Sequence, residues 1–488
     1  MKKTQMLPLA AIISGLLVGC GGGGGGGGGG QTQTKYQFSF VTPVVVEADK
    51  VGSCTIYREF EENGTVKVLT YHDIGSALDT RIVGSYSDAN GSISGELIEA
   101  SNGSINMILE NIPQGGAFTL QEANGTVLNA LSFSRDVLEA DPELKSVYLS
   151  VEQRVADTTC ISQSGSNDQI VTLSDLRYLN ASDSVGNPNV TYYFDSQVET
   201  QTSTNPEITG SNELKSISRE KTMVSQYRTS DRSELFQYGF DSWVDNQMVF
   251  AGNEATPLIH SLIDFSDISI DVVFNDFIYD LADIDYNASF YHPDDLNNGD
   301  SWVFEVEGTI DTPNWSAAYG KEISESWDLV VNETSLFTVS NTNDVKPVMG
   351  NQQIDLNTSI GLGAESGFQR ISFQQGTLNG STPYVMRHTI YSGIDAVVNV
   401  PDIDMSTVPS AIADDLLVSQ NSSVSQAYLF VKEESQVQLH EFLVDFRNGT
   451  GIDTTQDVMG MLFTSKEVRD MQAKRAQEET LELSRDDT

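Results

Sequence analysis

Alternating apolar and polar positions mark the first part of the chain. Tyr36, Phe38 and Phe40 alternate with polar residues, and Ile105 and Met107 repeat the same spacing. Successive side chains of a β-strand point to opposite faces of its sheet, so this spacing gives each strand one apolar face. The pattern therefore predicts strands whose apolar faces are buried against a second layer.

Three Asn-Gly pairs separate such strands and predict hairpins. Asn-Gly favours the tight turns whose central residues have positive φ, and the pairs are Asn63-Gly64, Asn102-Gly103 and Asn124-Gly125. Their flanking strands are CTIYREFEE and TVKVLTY, GSISGELIEA and SINMILENI, and AFTLQEA and TVLNALSF. Hairpins at this spacing predict a β-sandwich over residues 36–164.

Longer and more acidic strands are predicted beyond the polar passage at 161–167. Ile270, Val272 and Phe274 alternate in one of them, and residues 195–214 are expected to form a long loop or linker. Further strand candidates are SWVFEVEG, SWDLVVNE, SLFTVS, FQRISFQQG and AYLFVKEE. No fixed-period repeat is present, which argues against a propeller or solenoid. We predict a larger, antiparallel all-β domain over residues 165–462.

Helix is expected at the end of the chain. The spacing of Thr464 and Glu467 matches a capping box, in which each side chain bonds the backbone of the other residue. A charged helix and tail are therefore predicted over residues 463–488. The predicted fold class is mainly β, with an N-terminal prealbumin-like or immunoglobulin-like sandwich, a larger antiparallel β domain and this short helix.

The chain begins with MKKTQMLPLAAIISGLLVGC, which has the order of a signal peptide. Two lysines precede an apolar run from Met6 to Leu17, and a permanent membrane-spanning helix needs about 20 apolar residues. The run ends in LVGC, which resembles the lipobox of bacterial lipoproteins. That resemblance implies removal of residues 1–19 and acylation of Cys20, and several acyl chains anchor a protein stably in a membrane.

The ten glycines from Gly21 to Gly30, followed by QTQT, predict a flexible tether over residues 20–35. A Gly-rich segment of this length has a typical reach of roughly 20 Å. Gly21 stands where the sorting rule of Gram-negative lipoproteins has Asp for retention, and this resemblance implies the outer membrane. We expect the folded part to be held off the lipid surface at the end of this tether.

Two further resemblances bear on fold and role. The stretch INMILENIPQGGAFTLQEA is similar to the repeated ending of prealbumin-like surface modules, which implies a β-sandwich. The leader, the lipobox and the glycine tether together resemble the polar-flagellum sheath lipoproteins of marine vibrio-like bacteria. This resemblance implies a structural or surface role at the outer membrane, with envelope or flagellar-sheath proteins as partners.

Charge narrows the range of partners. The formal net charge is −42, whereas nucleic-acid binding needs a basic surface, so we expect no nucleic-acid partner. An anionic membrane surface would also repel the chain, which leaves the lipid on Cys20 as the attachment. The acidity is typical of solubility in salty surroundings, and the alternative is a surface that collects divalent cations.

Two cysteines remain after Cys20, and both belong to an exported chain. Cys54 and Cys160 are therefore predicted to form a disulfide, the alternative being two buried free thiols. A bond that closes a loop of about 100 residues stabilises a fold by up to ~4–5 kcal/mol, mainly by constraining the unfolded chain. Neither cysteine belongs to a CxxC pair, which argues against zinc and thioredoxin-like chemistry.

No catalytic motif stands out. Five histidines are scattered along the chain, and His440-Glu441 begins HEFLV, which lacks the second histidine of the zinc-protease motif. The segment from Gly91 to Gly95 has Ile93 where the nucleophile elbow of hydrolases has serine. We therefore predict no catalytic residue, metal or cofactor; the histidines are His72, His260, His292, His388 and His440.

Two regions leave binding chemistry open. Asp283, Asp285 and Asn287 have the spacing of a calcium loop, but Ala288 and Asp294 replace the glycine and the glutamate that it requires. Calcium binding within residues 264–300 therefore stays open beside the simpler interpretation of a solvated acidic strand face. The four tryptophans are expected in the core, with an exposed glycan-binding platform as the alternative; they are Trp243, Trp302, Trp315 and Trp327.

These patterns predict a non-enzymatic, lipid-anchored structural or surface protein of the outer membrane, with the flagellar sheath as one setting. The cell surface and the periplasmic face of the membrane are both compatible with the leader. The first alternative is an adhesin or glycan-binding module. The second is a glycosidase, because paired carboxylates catalyse glycoside hydrolysis, although 69 acidic residues make any one pair uninformative.

Overall fold

The computed structural model shows a mainly β protein with several sheets and little helix, which confirms the predicted fold class. Most strand pairs are antiparallel. The structure describes residues 33–54, 58–62, 65–74, 80–140, 146–151, 159–160, 170–174, 177–179, 191–196, 199–204, 213–217, 221–227, 235–241, 247–249, 254–255, 259–260, 265–274, 277–280, 289–291, 302–310, 315–322, 330–331, 337–339, 346–348, 352–355, 360–362, 366–395, 397–419, 422–431 and 459–464.

The strands in the first half of the chain are β1 (Lys35–Glu47), β2 (Arg58–Glu62), β3 (Thr65–Asp73), β4 (Arg81–Ser87), β5 (Ile93–Glu99), β6 (Ser104–Ile108), β7 (Ala117–Asn124), β8 (Val127–Ser134), β9 (Ser146–Ser150), β10 (Ile170–Ser174), β11 (Arg177–Leu179), β12 (Thr191–Asp195), β13 (Thr200–Ser203), β14 (Glu213–Ile217), β15 (Thr222–Tyr227) and β16 (Leu235–Asp241). One α-helix, α1 (Arg135–Ala140), and two short 3-10 helices, Ala48–Lys50 and Leu109–Asn111, lie among them.

The later strands are β17 (Gln247–Val249), β18 (Glu254–Ala255), β19 (Ile259–His260), β20 (Phe265–Phe274), β21 (Phe277–Asp280), β22 (Ser289–Tyr291), β23 (Trp302–Ile310), β24 (Trp315–Glu322), β25 (Val330–Val331), β26 (Phe337–Val339), β27 (Lys346–Val348), β28 (Gln353–Asp355), β29 (Ile360–Leu362), β30 (Ser366–Asn379), β31 (Thr382–Gly393), β32 (Val397–Asn399), β33 (Ser423–Val431) and β34 (Met459–Thr464). A third 3-10 helix spans Ala413–Leu416. No helix in the described part of the chain is long and apolar enough to cross a membrane.

The largest sheet joins strands from both ends of the chain. Its order is β21-β20-β23-β24-β34-β33-β30-β31-β8-β7-β4-β5. The junction is the parallel pair β8–β31, where Val127–Phe133 lies alongside Val385–Tyr391. The predicted domain boundary at 164/165 is therefore not a boundary between sheets, because long-range pairing places strands from both sides of it next to each other.

A smaller sheet packs on this one and completes the predicted N-terminal sandwich. Its central strand β1 pairs antiparallel with β3 and β6 and parallel with β9. Gly84 lies close beneath an aromatic ring, since a Cβ there would come within 2.7 Å of Phe118 Cζ. We call the shared interior the aromatic core; it includes Tyr36, Phe38, Phe40, Ile105, Met107, Phe118, Leu120, Phe133 and Tyr391.

Two of the three predicted hairpins are confirmed, namely β2–β3 and β7–β8. The second prediction is wrong, because β5 pairs with β4 in the large sheet and β6 pairs with β1 in the small one. The turn itself is present, with φ of 51° at Asn102 and 71° at Gly103. Ile105 and Met107 are buried in the aromatic core, whereas β5 is a largely exposed edge strand, so the chain changes sheets at this turn.

Cys54 and Cys160 form the predicted disulfide, with their Cα atoms 5.5 Å apart. The bond joins the segment after β1 to the segment after β9. Beside it, the Asp73 amide donates to the Thr159 carbonyl at 3.0 Å. The disulfide therefore holds one end of the smaller sheet together, and the alternative of free thiols is excluded.

Residues 397–418, which we call the strap, cover the large sheet on the face opposite the aromatic core. The strap contains β32 and the third 3-10 helix but otherwise little regular structure. Its buried apolar side chains pack against apolar side chains of β8, β30 and β31. This second core includes Leu128, Ala130, Ile371, Phe373, Met386, Ile390, Val400, Ile403, Val408, Ile412 and Leu416.

Other expectations for the second half have mixed outcomes. The strand candidates that became β20, β23, β30 and β33 are confirmed. The expected linker at 195–214 instead contains β13, which pairs with β12, because its alternating Thr and Gln side chains suit a partly exposed edge strand. Phe463 and Thr464 belong to β34 rather than to a helix, since β34 pairs with both β24 and β33. The rest of the predicted C-terminal helix lies outside the described residues.

Candidate functional site

Three polar side chains form a hydrogen-bonded row across the face that the strap covers. Thr119 of β7 lies opposite Ser132 of β8 in the strand register. His388 of β31 lies one position further along, opposite Ala130. Oγ1 of Thr119 is 2.7 Å from Oγ of Ser132, which is in turn 2.7 Å from Nε2 of His388. We call these three side chains the polar row.

The polar row is sealed from water. Ser132 is 0% exposed and His388 is 1% exposed, and the Phe373 ring lies 5.4 Å from the imidazole. Because an imidazolium loses its hydration when buried, burial lowers the pKa of His388 to about 3. The ring is therefore neutral at neutral pH.

A serine within hydrogen-bond distance of a histidine is the arrangement of a nucleophile and its general base. The pair does not meet the other requirements of that chemistry in this structure. A general base works best with a pKa near the operating pH, whereas the pKa of His388 is far below it, and the strap leaves no path to the serine. Among the described residues, no carboxylate orients the imidazole, and the hydrogen bonds of the row satisfy polar groups that would otherwise be buried alone.

Asp404 anchors the strap beside the polar row. Its backbone amide and carbonyl bond the side-chain amide of Gln121, both at 2.7 Å. Its carboxylate pairs with Arg81 and accepts hydrogen bonds from Ser406, at 2.9 Å from the amide and 2.8 Å from the hydroxyl. Burial alone would raise the pKa of Asp404, but the hydrogen bonds from Ser406 and Arg81 hold it below its usual range.

A second contact holds the strap at Asp402. Its amide donates to the Gly91 carbonyl at 2.7 Å, and its carboxylate accepts from Nε2 of Gln352 at 2.6 Å. Burial raises the pKa of Asp402, and the charge of Asp88 adds to this rise, whereas the Gln352 hydrogen bond opposes it. Asp402 is therefore protonated more readily than a free carboxyl group when the pH falls, whereas Asp404 is protonated less readily.

The polar row is the feature that the sequence pattern did not identify, because His388 was treated there as one of five scattered histidines. A signal was present, since Met386, His388 and Ile390 alternate in TPYVMRHTIYSG and place the histidine among core positions. Ser132 occupies an equivalent core position in TVLNALSF. Polar residues at core positions of neighbouring strands are a usable indication of a buried network.

The other predicted site residues are not brought to this row. His72 of β3 bonds Thr70 at 3.0 Å on the smaller sheet. In the portion of the chain that is described, no cluster of three or more histidine, cysteine or acidic side chains could hold a metal. The lipobox with Cys20, the glycine tether, the calcium-like segment at Asp283, His292, His440, Trp243 and Trp327 lie outside the described residues. Trp302, Trp315 and His260 are described only as positions in strands.

Comparison with known protein families, with curated proteins and with solved structures finds no match for this chain. The function is therefore inferred from the sequence features and from the geometry of the described strands. The polar row, the strap anchors and the first strand behind the tether are the parts of that geometry with consequences for function.

Proposed function

We propose that this chain is a non-enzymatic, lipid-anchored structural or surface protein of the outer membrane, with the flagellar sheath as one setting. The sequence support is the signal peptide, the lipobox ending at Cys20 and the glycine tether that follows it. The structural observation that carries the proposal is the position of β1. This strand begins at Lys35, directly behind the tether, and is the central strand of its sheet.

The start of β1 is fixed on both edges. The Leu109 amide donates to the Thr34 carbonyl at 3.0 Å, and the Thr34 amide donates to the Glu110 carboxylate at 3.0 Å. Residues Lys35–Ser39 then pair with β6, while Gln37–Val41 pair with β9. The stretch directly behind the tether is therefore held by hydrogen bonds to two neighbouring strands. Such an attachment suits a protein held at a membrane under mechanical load.

The disulfide reinforces the same sheet. Cys54 follows the far end of β1, and Cys160 follows the parallel neighbour β9. The two segments that follow these strands are therefore joined covalently. An exported protein keeps such a bond, because its compartment is oxidising.

The adhesin and glycosidase alternatives depend on residues whose side chains lie outside the described part. These are the four tryptophans and the acidic segment that includes Asp283 and Asp285. No contact among the described side chains favours either alternative over the anchored structural role.

The anchoring step is tested with Cys20→Ser in a Gram-negative host. We expect the unaltered chain to incorporate a palmitate label and to fractionate with outer membranes, because acylation of Cys20 is the proposed anchor. The Cys20→Ser chain should take up no label and should leave the outer-membrane fraction. A Cys54→Ser, Cys160→Ser chain is the matched control and should still be labelled. Quantitative outer-membrane partition of the unlabelled Cys20→Ser chain contradicts the proposal.

The setting is tested separately in the native cell by comparing sheathed flagella with cell bodies. Enrichment of the chain in the sheath fraction supports a role at the flagellum. Equal density over the cell body and the sheath restricts the proposal to a general surface role.

A further inference from the structure

The strap is not a strand of the large sheet and is held to it by side-chain contacts and a few backbone hydrogen bonds. Its one strand pair is the three-residue pair β28–β32. The other attachments include the Val400 amide bond to the Gln352 carbonyl at 2.7 Å, the bonds of Asn399, Asp402 and Asp404, and the apolar side chains above β8, β30 and β31. A cover of this kind can leave the sheet without breaking the ladder hydrogen bonds of the strands beneath it.

His388 lies under this cover, and none of the described charged groups shifts its pKa. Strand alternation places Glu122, Arg370 and Arg387 on the opposite face of the sheet, the side of the aromatic core. Among the described residues, the charged groups on the strap side include Arg81 of β4, Glu99 of β5 and Asp88, together with four aspartates of the strap, Asp402, Asp404, Asp414 and Asp415. None of these groups contributes to the pKa of His388, which burial alone lowers. An imidazolium formed there has no counter-charge among the described residues.

We propose that the strap is an acid-released cover, in which protonation of His388 displaces residues 397–418 while the aromatic core on the other face stays packed. The closed and open states of the strap bind the proton of His388 with different affinities. In the open state the ring is hydrated and has an ordinary pKa near 6.5, so protons bind the open state preferentially below that pH. The fraction of open molecules then rises about tenfold for each pH unit below about 6.5.

The two anchoring aspartates bear on this release in different ways. The lowered pKa of Asp404 keeps its carboxylate charged, and its ion pair with Arg81 in place, at the mildly acidic pH at which His388 begins to act. The raised pKa of Asp402 means that protonation of this carboxyl favours the closed state, so it opposes release. Protonation of His388 therefore favours release of the strap, and protonation of Asp402 opposes it.

Hydrogen exchange of the full chain between pH 7 and pH 4.5, corrected for the intrinsic effect of pH, tests the proposal. We expect the protection of the Asp402, Asp404 and Val408 amides to fall about tenfold per pH unit below about 6.5. The amides of β8 should keep their protection over the same range. Strap protection that does not change with pH, or β8 amides that open together with the strap, would overturn the proposal.

Substitution of His388 by glutamine identifies the responsible group. In H388Q the strap protection should no longer fall as the pH decreases, because glutamine does not titrate and protonation of Asp402 favours the closed state. His72→Gln is the matched control on the smaller sheet and should keep the full response. A response in H388Q equal to that of the unaltered chain overturns the proposal. If H388Q does not fold, D404N serves instead, since it should raise strap exchange at every pH and leave the tenfold slope unchanged.

Discussion

Around β8 and β31, both faces of the large sheet are buried, but they are covered in different ways. On one face, aromatic rings stack between two sheets, with centroid distances of 5.6 Å for Phe38–Phe133 and 5.5 Å for Phe133–Tyr391. On the other face, aliphatic side chains and the polar row lie under the irregular strap. Both faces exclude water, so burial by itself does not separate them.

The difference lies in what holds each cover. The smaller sheet has its own ladder hydrogen bonds and a disulfide, and it remains a sheet whatever lies beneath it. The strap depends on the sheet for its position, through Asp402 and Asp404 above all. The large sheet therefore has one face with a permanent cover and one face with a cover that can be released. The buried titratable histidine lies on the second face.

The largest loss of stability is expected when a ring is removed from the aromatic core. Phe133→Ala removes a fully buried ring between Phe38 and Tyr391, and such changes lower the free energy of unfolding by about 3–5 kcal/mol. Equilibrium urea unfolding measures this loss. Leu378→Ala is the control at an exposed position, since Leu378 is 64% exposed, and it should change stability by less than about 0.5 kcal/mol. A small loss for Phe133→Ala would show that the rings are not the centre of the fold.

Loss of the disulfide should have the next largest effect. Cys54→Ser together with Cys160→Ser releases a loop that spans a sequence separation of 106. Removal of a native disulfide costs about 2–5 kcal/mol. Reduction of the unaltered chain with dithiothreitol should give the same loss. Because β8 pairs with β31, we expect the loss to extend beyond residue 165.

A smaller loss is expected when the strap loses its charged anchor. Asp404→Asn removes the ion pair with Arg81 at a carboxylate that is 11% exposed, and loss of one partner of such a pair costs about 1–3 kcal/mol. Glu99→Gln is the matched control, because Glu99 contacts the same arginine but is 60% exposed. An exposed pair of this kind contributes about 0–1 kcal/mol. Equal losses for the two variants would show that burial of the anchor does not matter.

Much of the first third of the fold could be predicted because its signals are local. The alternation of Tyr36, Phe38 and Phe40 identified the buried face of β1, and Asn-Gly turns identified the β2–β3 and β7–β8 hairpins. The second hairpin failed because a turn specifies only the local reversal of the chain. Whether the two flanking strands pair is decided by where their apolar faces are buried.

The candidate site could not be predicted, because the contacts that bring His388 and the strap to it join distant positions. Ser132 and His388 are 256 residues apart, and Gln121 and Asp404 are 283 residues apart. The parallel pair β8–β31 brings the first two together, and nothing local to either strand indicates that pairing. Apolar and polar residues do not alternate regularly along the strap, so its sequence does not differ from that of a loop. Its burial depends on the sheet beneath it.

The smallest effect is expected at the tether. Shortening Gly21–Gly30 to three glycines should leave the midpoint of thermal unfolding unchanged within about 1 °C, since a flexible segment contributes no packing. Calorimetry on the soluble Cys20→Ser chain with and without the deletion provides the measurement. A fall of several degrees would mean that the glycines contribute to the fold behind them.

Native-state hydrogen exchange at pH 7 tests most directly whether the two faces are held unequally. The probes are the Asp402, Asp404 and Val408 amides of the strap, compared with the amides of β1 and β8. We predict that the strap amides exchange through a local opening whose free energy is several kcal/mol below that of the β1 and β8 amides, which share a common, larger value. Strap amides that exchange with the same free energy as β1 and β8 would contradict the account, because both covers would then open only when the whole fold does.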